Sequence, residues 1–270
     1  MARIEVNGTG IEYEIHGAGP ALLLIHGLGS CKEDWEAQRE PFAQDYQVLS
    51  FDLRGHGASD KPAGPYSIAQ FAADAAGLLR TLGIDAAHVV GISLGGAVAF
   101  QLALDHPELV RTLTIVNSGP DATVRTFKEK FAVWMRQYVV RRKGMARLAG
   151  LIGPHLFPKP ENRAERERFI ERTSRNDPQA YLHAFRALIG WSVADRLGAI
   201  ACPVLAIAAD QDYTPLSMKQ AYVAKIPGAR LEVVADARHA LPMEKPAQFN
   251  TVLKNFLGMH AQAAPGHMPA

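Results

Sequence analysis

Cysteine is nearly missing from this 270-residue chain: Cys31 and Cys202 could form one bridge at most, so a disulfide-stapled secreted scaffold is excluded. Long apolar runs are missing too. The longest early one, Ala21 to Ile25, has five residues, against about 7–15 for a signal peptide and about 20 for a membrane span. The chain therefore reads as cytoplasmic, with no stable membrane insertion. Internal repeats and low-complexity stretches do not occur. His16, His88, His106, His155 and His183 show no ligand spacing such as His-Glu-x-x-His, and no metal is implied. Neither a Walker loop nor a complete Gly-x-Gly-x-x-Gly follows a strand, so no nucleotide cofactor is implied either. The cofactor expectation is none.

What is present is an ordinary globular composition, 48% hydrophobic and 21% charged. Net charge is only +2, but it is unevenly placed. From Asp121 to Leu197 there are 16 Lys and Arg against 8 Asp and Glu, an excess of +8 that leaves −6 for the remainder. Such a break marks an inserted segment, whose charges either face solvent or attract an acidic substrate or an anionic surface. Nucleic acid is not expected as a partner, because the aromatics of the segment read as buried and no recognition module is visible.

Short apolar runs alternate with helical periodicity. Ala21–Ile25 reads as a strand buried on both faces and Val48–Phe51 repeats the pattern, while His88–Ile92, Leu113–Val116, Pro203–Ala209 and Leu231–Ala235 read as further strands. Between the first two, a helix is expected to carry Trp35 and Phe42. Ser67 and Gln70 have capping-box spacing ahead of a helix that ends at Gly83, and further helices are expected over Leu94–Asp105, Leu216–Ile226 and Pro246–Leu257. This alternation predicts a mostly parallel sheet covered on both faces. Residues 1–120 and 198–258 form the expected core, 121–197 a helical cap, and 259–270 a tail that frays.

Within the insertion, Phe127, Phe131, Trp134 and Tyr138 share one helical face, read as packing against the main domain. Pro154, Pro158 and Pro160 are expected to break the chain. Asp177 reads as an N-cap, with Pro178 opening a helix that carries Tyr181, Phe185, Leu188 and Ile189.

The chemistry collects at strand ends. Gly91-Ile92-Ser93-Leu94-Gly95-Gly96 lies where a strand turns abruptly into a helix, the context of a nucleophile elbow. With 23 glycines and 9 serines, chance would produce the core pattern only about 0.06 times in such a chain. A serine hydroxyl needs a base, and the base an orienting acid. This elbow implies the chain order Ser, acid, His. His239 follows the last strand, while Asp210 and Asp212 both follow the strand ending at Ala209. In a parallel sheet these ends share one edge with Ser93. Two N–H donors are needed for an oxyanion, and they are assigned to Leu94, just after the nucleophile, and Leu28, in the His26-Gly27-Leu28-Gly29 loop.

From about Ile4 to Leu257 the chain resembles the α/β-hydrolase superfamily in its single-domain form with a helical cap. Besides the elbow and the oxyanion loop, Asp52-Leu53-Arg54-Gly55-His56-Gly57-Ala58-Ser59 matches a loop signature of that family, and the Pro203–Pro215 and His239–Pro246 segments match as well. The resemblance implies an eight-stranded, mostly parallel sheet with the cap after the sixth strand. It also selects Asp212, three residues after a position that is usually glycine and here is Ala209. Asp121 is a third candidate, because some relatives place the acid after the preceding strand. Asp52, Arg54 and His56 are expected to knit their loop together, and Cys31 to be a structural thiol.

Ser93 at the elbow matches esterases, lipases, lactonases, carbon-carbon bond hydrolases and cofactor-free haloperoxidases, rather than members with Asp or Cys there. Ile92 and Ala240-Leu241-Pro242 depart from the neighbourhoods usual in carbon-carbon hydrolases. The expected activity is hydrolysis of a carboxylic ester or lactone, a small-molecule substrate, through an acyl-enzyme. The basic cap suggests one that bears a carboxylate. A carbon-carbon hydrolase or a haloperoxidase/perhydrolase is the alternative within the fold; a small-molecule binding protein is the alternative from another class. Homo-oligomerisation is left open.

Overall fold

The computed structural model describes residues 2–260. The expected tail therefore lies outside the described residues from 261 onward. An N-terminal hairpin, β1 (Ala2–Val6) and β2 (Thr9–His16), opens the fold. It is followed by β3 (Ala21–Ile25), a 3-10 turn over Lys32–Trp35, α1 (Glu36–Ala43), β4 (Gln47–Phe51), α2 (Ile68–Thr81), β5 (Ala87–Ile92), α3 (Leu94–Asp105) and β6 (Val110–Val116). Three helices come next: α4 (Phe127–Leu156), α5 (Arg163–Ser174) and α6 (Pro178–Leu188). The chain then resumes with β7 (Val204–Ala209), α7 (Leu216–Val223), β8 (Arg230–Val234), α8 (Leu241–Glu244) and α9 (Pro246–Met259).

The strands form one eight-stranded sheet in the order β1-β2-β4-β3-β5-β6-β7-β8. β1 and β2 pair antiparallel, as do β2 and β4, and every later pairing is parallel. Alternate residues of the central strands point to opposite faces. Leu23, Ile25, Val89 and Leu113 meet α2 and α3 through Phe71, Leu78 and Val98 on one side. Leu22, Leu24, Val90 and Ile207 meet α1 and α9 through Phe42, Phe249 and Leu253 on the other. Each of these buried side chains contributes roughly 1.5–3 kcal/mol by the apolar surface it withdraws from water. Because the inner strands are parallel, their carboxyl ends, where Ser93, Asn117, Asp212 and His239 follow, lie along one edge.

Local signals explain the helix starts. Ser67 Oγ accepts from Gln70 N–H at the head of α2, and the Asp177 carboxylate accepts from Ala180 N–H at the head of α6, with Pro178 at the first helical position. At α4 a complete capping box forms between Thr126 and Glu129.

Two expectations about the insertion fail. Pro154 does not break the chain: it lies in the last turn of α4, where one lost backbone bond is tolerated, and the interruption comes earlier, at Gly144 with φ +80°. The aromatic stripe does not pack on the main domain. Phe127 is 84% exposed, Phe131 51%, Trp134 55% and Tyr138 42%. The opposite side of the helix, through Val139 and Val140, packs on Tyr181, Leu182 and Phe185 of α6. Helical spacing shows that residues share a face; it does not show which way the face looks. The reading of these aromatics as buried fails with it.

Candidate functional site

Ser93 occupies the turn between β5 and α3 with φ +56° and ψ −117°, a region that L residues rarely adopt. Its neighbours must be small for the turn to close. A β-carbon on Gly91 would collide with the Gly95 carbonyl, and one on Gly95 with the Ile25 carbonyl. The turn is tied to the next strand by Ser93 N–H donating to Val116 O (3.1 Å) and Ser118 Oγ donating to Ser93 O (2.7 Å).

The loop after β3 lies against this turn, for a β-carbon on Gly27 would sit 3.5 Å from Ser93 Cβ. Gly27, Leu28 and Ser93 line one cavity of about 620 Å³. Leu94 opens α3, so its N–H has no acceptor within the helix. The loop is held from below and above. His26 donates from Nδ1 to Gly27 O (2.8 Å) and accepts Leu53 N–H at Nε2 (3.0 Å); burial pushes its pKa down to about 4, which keeps it neutral. From the insertion, Asn176 Nδ2 (2.8 Å) and Thr173 Oγ1 (3.3 Å) donate to Gly29 O.

At the far end of the sheet, His239 Nδ1 lies 2.8 Å from Asp212 Oδ1. The other carboxylate oxygen receives Lys219 Nζ at 2.6 Å and the Thr214 hydroxyl. Burial alone would raise this carboxyl. The hydrogen bond and charge of His239, with the Lys219 and Thr214 donors, outweigh it and hold Asp212 at about 2. Asn117, at the end of β6, clamps both loops: its Nδ2 donates to the carbonyls of His239 (2.9 Å) and Arg238 (3.1 Å), and its Oδ1 accepts Ala209 N–H (2.8 Å).

The other acids go elsewhere. Asp210 accepts Ala237 N–H (3.1 Å), bracing the loop that carries His239, and Asp121 pairs with Arg125. Ala209, where the family usually has glycine, is accommodated as a buried end to β7. Asp52 binds Lys32 and Ala58, Arg54 binds Asp74, and His56 bonds Arg54 O, so these residues do knit their loop. Cys31 is buried and its thiol is driven up by burial and by the neighbouring Asp34 and Glu33 carboxylates.

Sequence alone does not point to Tyr213. Tyr213 points its hydroxyl at His239 Nε2, 2.7 Å away, with the two rings 4.1 Å apart. The ring lines the open cavity and is 70% exposed. Its packing against the imidazole and the Asp212 charge push the phenol up to about 12, and the protonated hydroxyl donates to His239 Nε2. Its position beside Asp212 is the one signal that could have found it. Lys219 and Asn117 were missed as well; Asn117 ends a strand at the same edge as Ser93 and was legible in that way.

Most of the cavity wall is apolar, including Trp35, Ile152, Leu156, Phe169, Phe185 and Met243. Of the 16 basic residues between 121 and 197, Arg136 alone lines it. Arg136 donates to Tyr181 Oη (2.7 Å) and lies over the Phe185 ring at 5.0 Å. Among the described residues there is no group of three or more His, Cys, Asp and Glu placed to hold a metal ion. No described helix is long and apolar enough to cross a membrane.

Comparison with known proteins agrees with this architecture. The family described as alpha/beta hydrolase fold matches residues 20–143. RutD of Azorhizobium caulinodans, a protein named for carbamate hydrolysis, is 34% identical over 254 residues, covering 91% of this chain and 94% of that protein. Among solved structures, the enol-lactonase of Burkholderia xenovorans LB400 superposes with a TM-score of 0.89 at 26% identity, covering 95% of this chain and all of that one. A thermophilic esterase from Thermogutta terrifontis with malate bound gives 0.88 at 26% identity, covering 97% and 100%. With a relative this similar over nearly its whole length and an eight-stranded sheet of the same kind, the chain belongs to the α/β-hydrolase fold family.

Proposed function

We propose that this chain is a serine hydrolase that cleaves a carboxylic ester or lactone through an acyl-enzyme. The observation that carries the reading is the His239–Asp212 pair at 2.8 Å, on the sheet edge where Ser93 stands in its strained turn. His239 Nε2 takes the Ser93 proton as Oγ attacks the carbonyl carbon, and the N–H groups of Leu28 and Leu94 receive the oxyanion. His239 then protonates the leaving alcohol. Water, deprotonated by the same imidazole, releases the acid and returns the proton to Ser93. Asp212 keeps Nδ1–H in place and offsets the charge that develops on the ring. Tyr213 must leave Nε2 before the proton can move, so the entering substrate displaces its hydroxyl.

The likeness to an enol-lactonase and to an esterase supports the ester or lactone class. The apolar wall suits an acyl chain or ring, and the helical insertion serves as its cap. A second reading has its own support in the relative named for carbamate hydrolysis, because the same groups can attack a carbamate carbonyl. Turnover of p-nitrophenyl esters of graded chain length, simple lactones and a p-nitrophenyl carbamate, by wild type and Ser93→Ala, tests both. Ester or lactone turnover that disappears in the variant supports the proposal. Turnover of the carbamate alone supports the second reading, and turnover that survives Ser93→Ala overturns both.

A further inference from the structure

The exposed aromatic stripe of α4 has a partner-shaped composition. Before the break at Gly144 the helix runs from 127 to 143, about 25 Å at the α-helical rise. At about 100° per residue, Phe127, Phe131, Trp134 and Tyr138 fall within an arc of roughly 60°. Their rings support one another: Phe131 and Trp134 are 5.7 Å apart, Trp134 and Tyr138 stack at 5.5 Å. On the same projection Lys130 and Arg141 lie along one border of the stripe and Arg142 and Lys128 along the other. All four cations are exposed, and among the described residues none of them makes an ion pair. Glu129 is the single acid in this stretch. It is turned back to the helix start, where it accepts the N–H groups of Thr126 and Arg125.

An aromatic band bordered on both sides by unpaired cations matches a surface that is anionic at the top and apolar just beneath. We propose that this face of α4 docks on anionic phospholipid bilayers, lying in the plane of the headgroups with its aromatic rings sunk among the acyl chains. The long stems of Lys128, Lys130, Arg141 and Arg142 reach the phosphate level while the rings go deeper. A second copy of this chain is a poor occupant, because a two-fold contact through the stripe would set these cations against their own kind. Arg136, on the opposite side of the same helical segment, lines the cavity, so docking holds the cavity beside the lipid. Docking itself does not depend on which bond the site cleaves.

The test is co-sedimentation of the purified full chain with vesicles of phosphatidylcholine alone or with about 30% phosphatidylglycerol, at low and high salt. The proposal expects binding to the anionic vesicles at least about tenfold tighter than to neutral ones, weakened by salt, with a blue shift of tryptophan emission. Phe131→Ser combined with Trp134→Ser removes the binding, and Arg141→Glu combined with Arg142→Glu removes the preference for the anionic lipid. Neither pair lines the cavity, so unchanged turnover of a soluble ester, or an unchanged circular dichroism melt if no ester is turned over, reports intact folding. Absence of vesicle binding overturns the proposal. So does equal binding to both vesicle types, or binding that survives both double variants. Concentration-dependent dimerisation that the same variants abolish, without vesicle binding, assigns the face to a second copy and overturns it as well.

Discussion

The Tyr213 hydroxyl donates to His239 Nε2 across 2.7 Å, the nitrogen that the proposed mechanism needs free to accept the Ser93 proton. A neutral hydrogen bond of this kind contributes about 0.5–1.5 kcal/mol, so its removal should change rates by a factor of roughly 2–10. If the phenol only occupies the base, Tyr213→Phe raises kcat/KM on p-nitrophenyl acetate by that factor. A fall of more than about tenfold would make the phenol part of the catalytic machinery instead.

The candidate acids are separated by their partners. Asp212 holds the imidazole, whereas Asp210 braces a backbone N–H of the neighbouring loop. Asp212→Asn should lower kcat by about 10⁴, as expected when the imidazole loses its orienting carboxylate. Asp210→Asn should cost less than about tenfold, since the amide oxygen can still accept from Ala237. Initial rates on one ester, with circular dichroism to confirm folding, check both. Equal losses would contradict the assignment.

Three histidines make the fold sensitive to acid. Burial lowers His26 and His88 to about 4 and His56 to about 3. The unfolded chain binds these protons near pH 6.5 while the folded one does not, so stability is complete above about pH 6.5 and falls as the pH drops towards those values. Between pH 7 and 5 each group removes roughly 2 kcal/mol, a large share of a typical domain's stability. Urea unfolding at pH 7.5, 6 and 5 should show a steep loss of midpoint concentration. A flat midpoint across this range would contradict the buried, neutral state of these rings.

Arg136 is the single Lys or Arg of the insertion that lines the cavity. Were the substrate to carry a carboxylate, Arg136→Met would lower kcat/KM on a carboxylate-bearing ester by about tenfold relative to its neutral analogue, the worth of one charged hydrogen bond. We expect that selective loss. Equal effects on the two esters would leave Arg136 as support for Tyr181 and Phe185 alone.

The parallel core was legible because its strands are buried on both faces and read as unbroken apolar runs, as in Ala21–Ile25 and Val204–Ala209. The Ser93 turn was legible because Gly91 and Gly95 are required by contacts that any side chain would violate. The hairpin at Ala2–His16 was harder: its edge strand alternates weakly and exposes most of its side chains. Arg163–Ser174 was missed as a helix because it is dominated by charge, with Phe169 and Thr173 its only buried residues. Asp210 and Asp212 could be told apart only by the family resemblance, since both follow the same strand and the hydrogen bond that distinguishes them spans 27 residues. Tyr213 and the outward turn of the α4 aromatics depend on the direction of a side chain, which local periodicity does not encode.

The central claim is that Ser93 is the nucleophile, and the most direct measurement is covalent labelling with a fluorophosphonate followed by mass spectrometry of the digested protein. One adduct per chain is expected on the peptide that holds Ser93, none in Ser93→Ala, with loss of essentially all ester turnover in both labelled protein and variant. An unlabelled Ser93 in a protein that still turns over esters, or turnover that persists in Ser93→Ala, would contradict it.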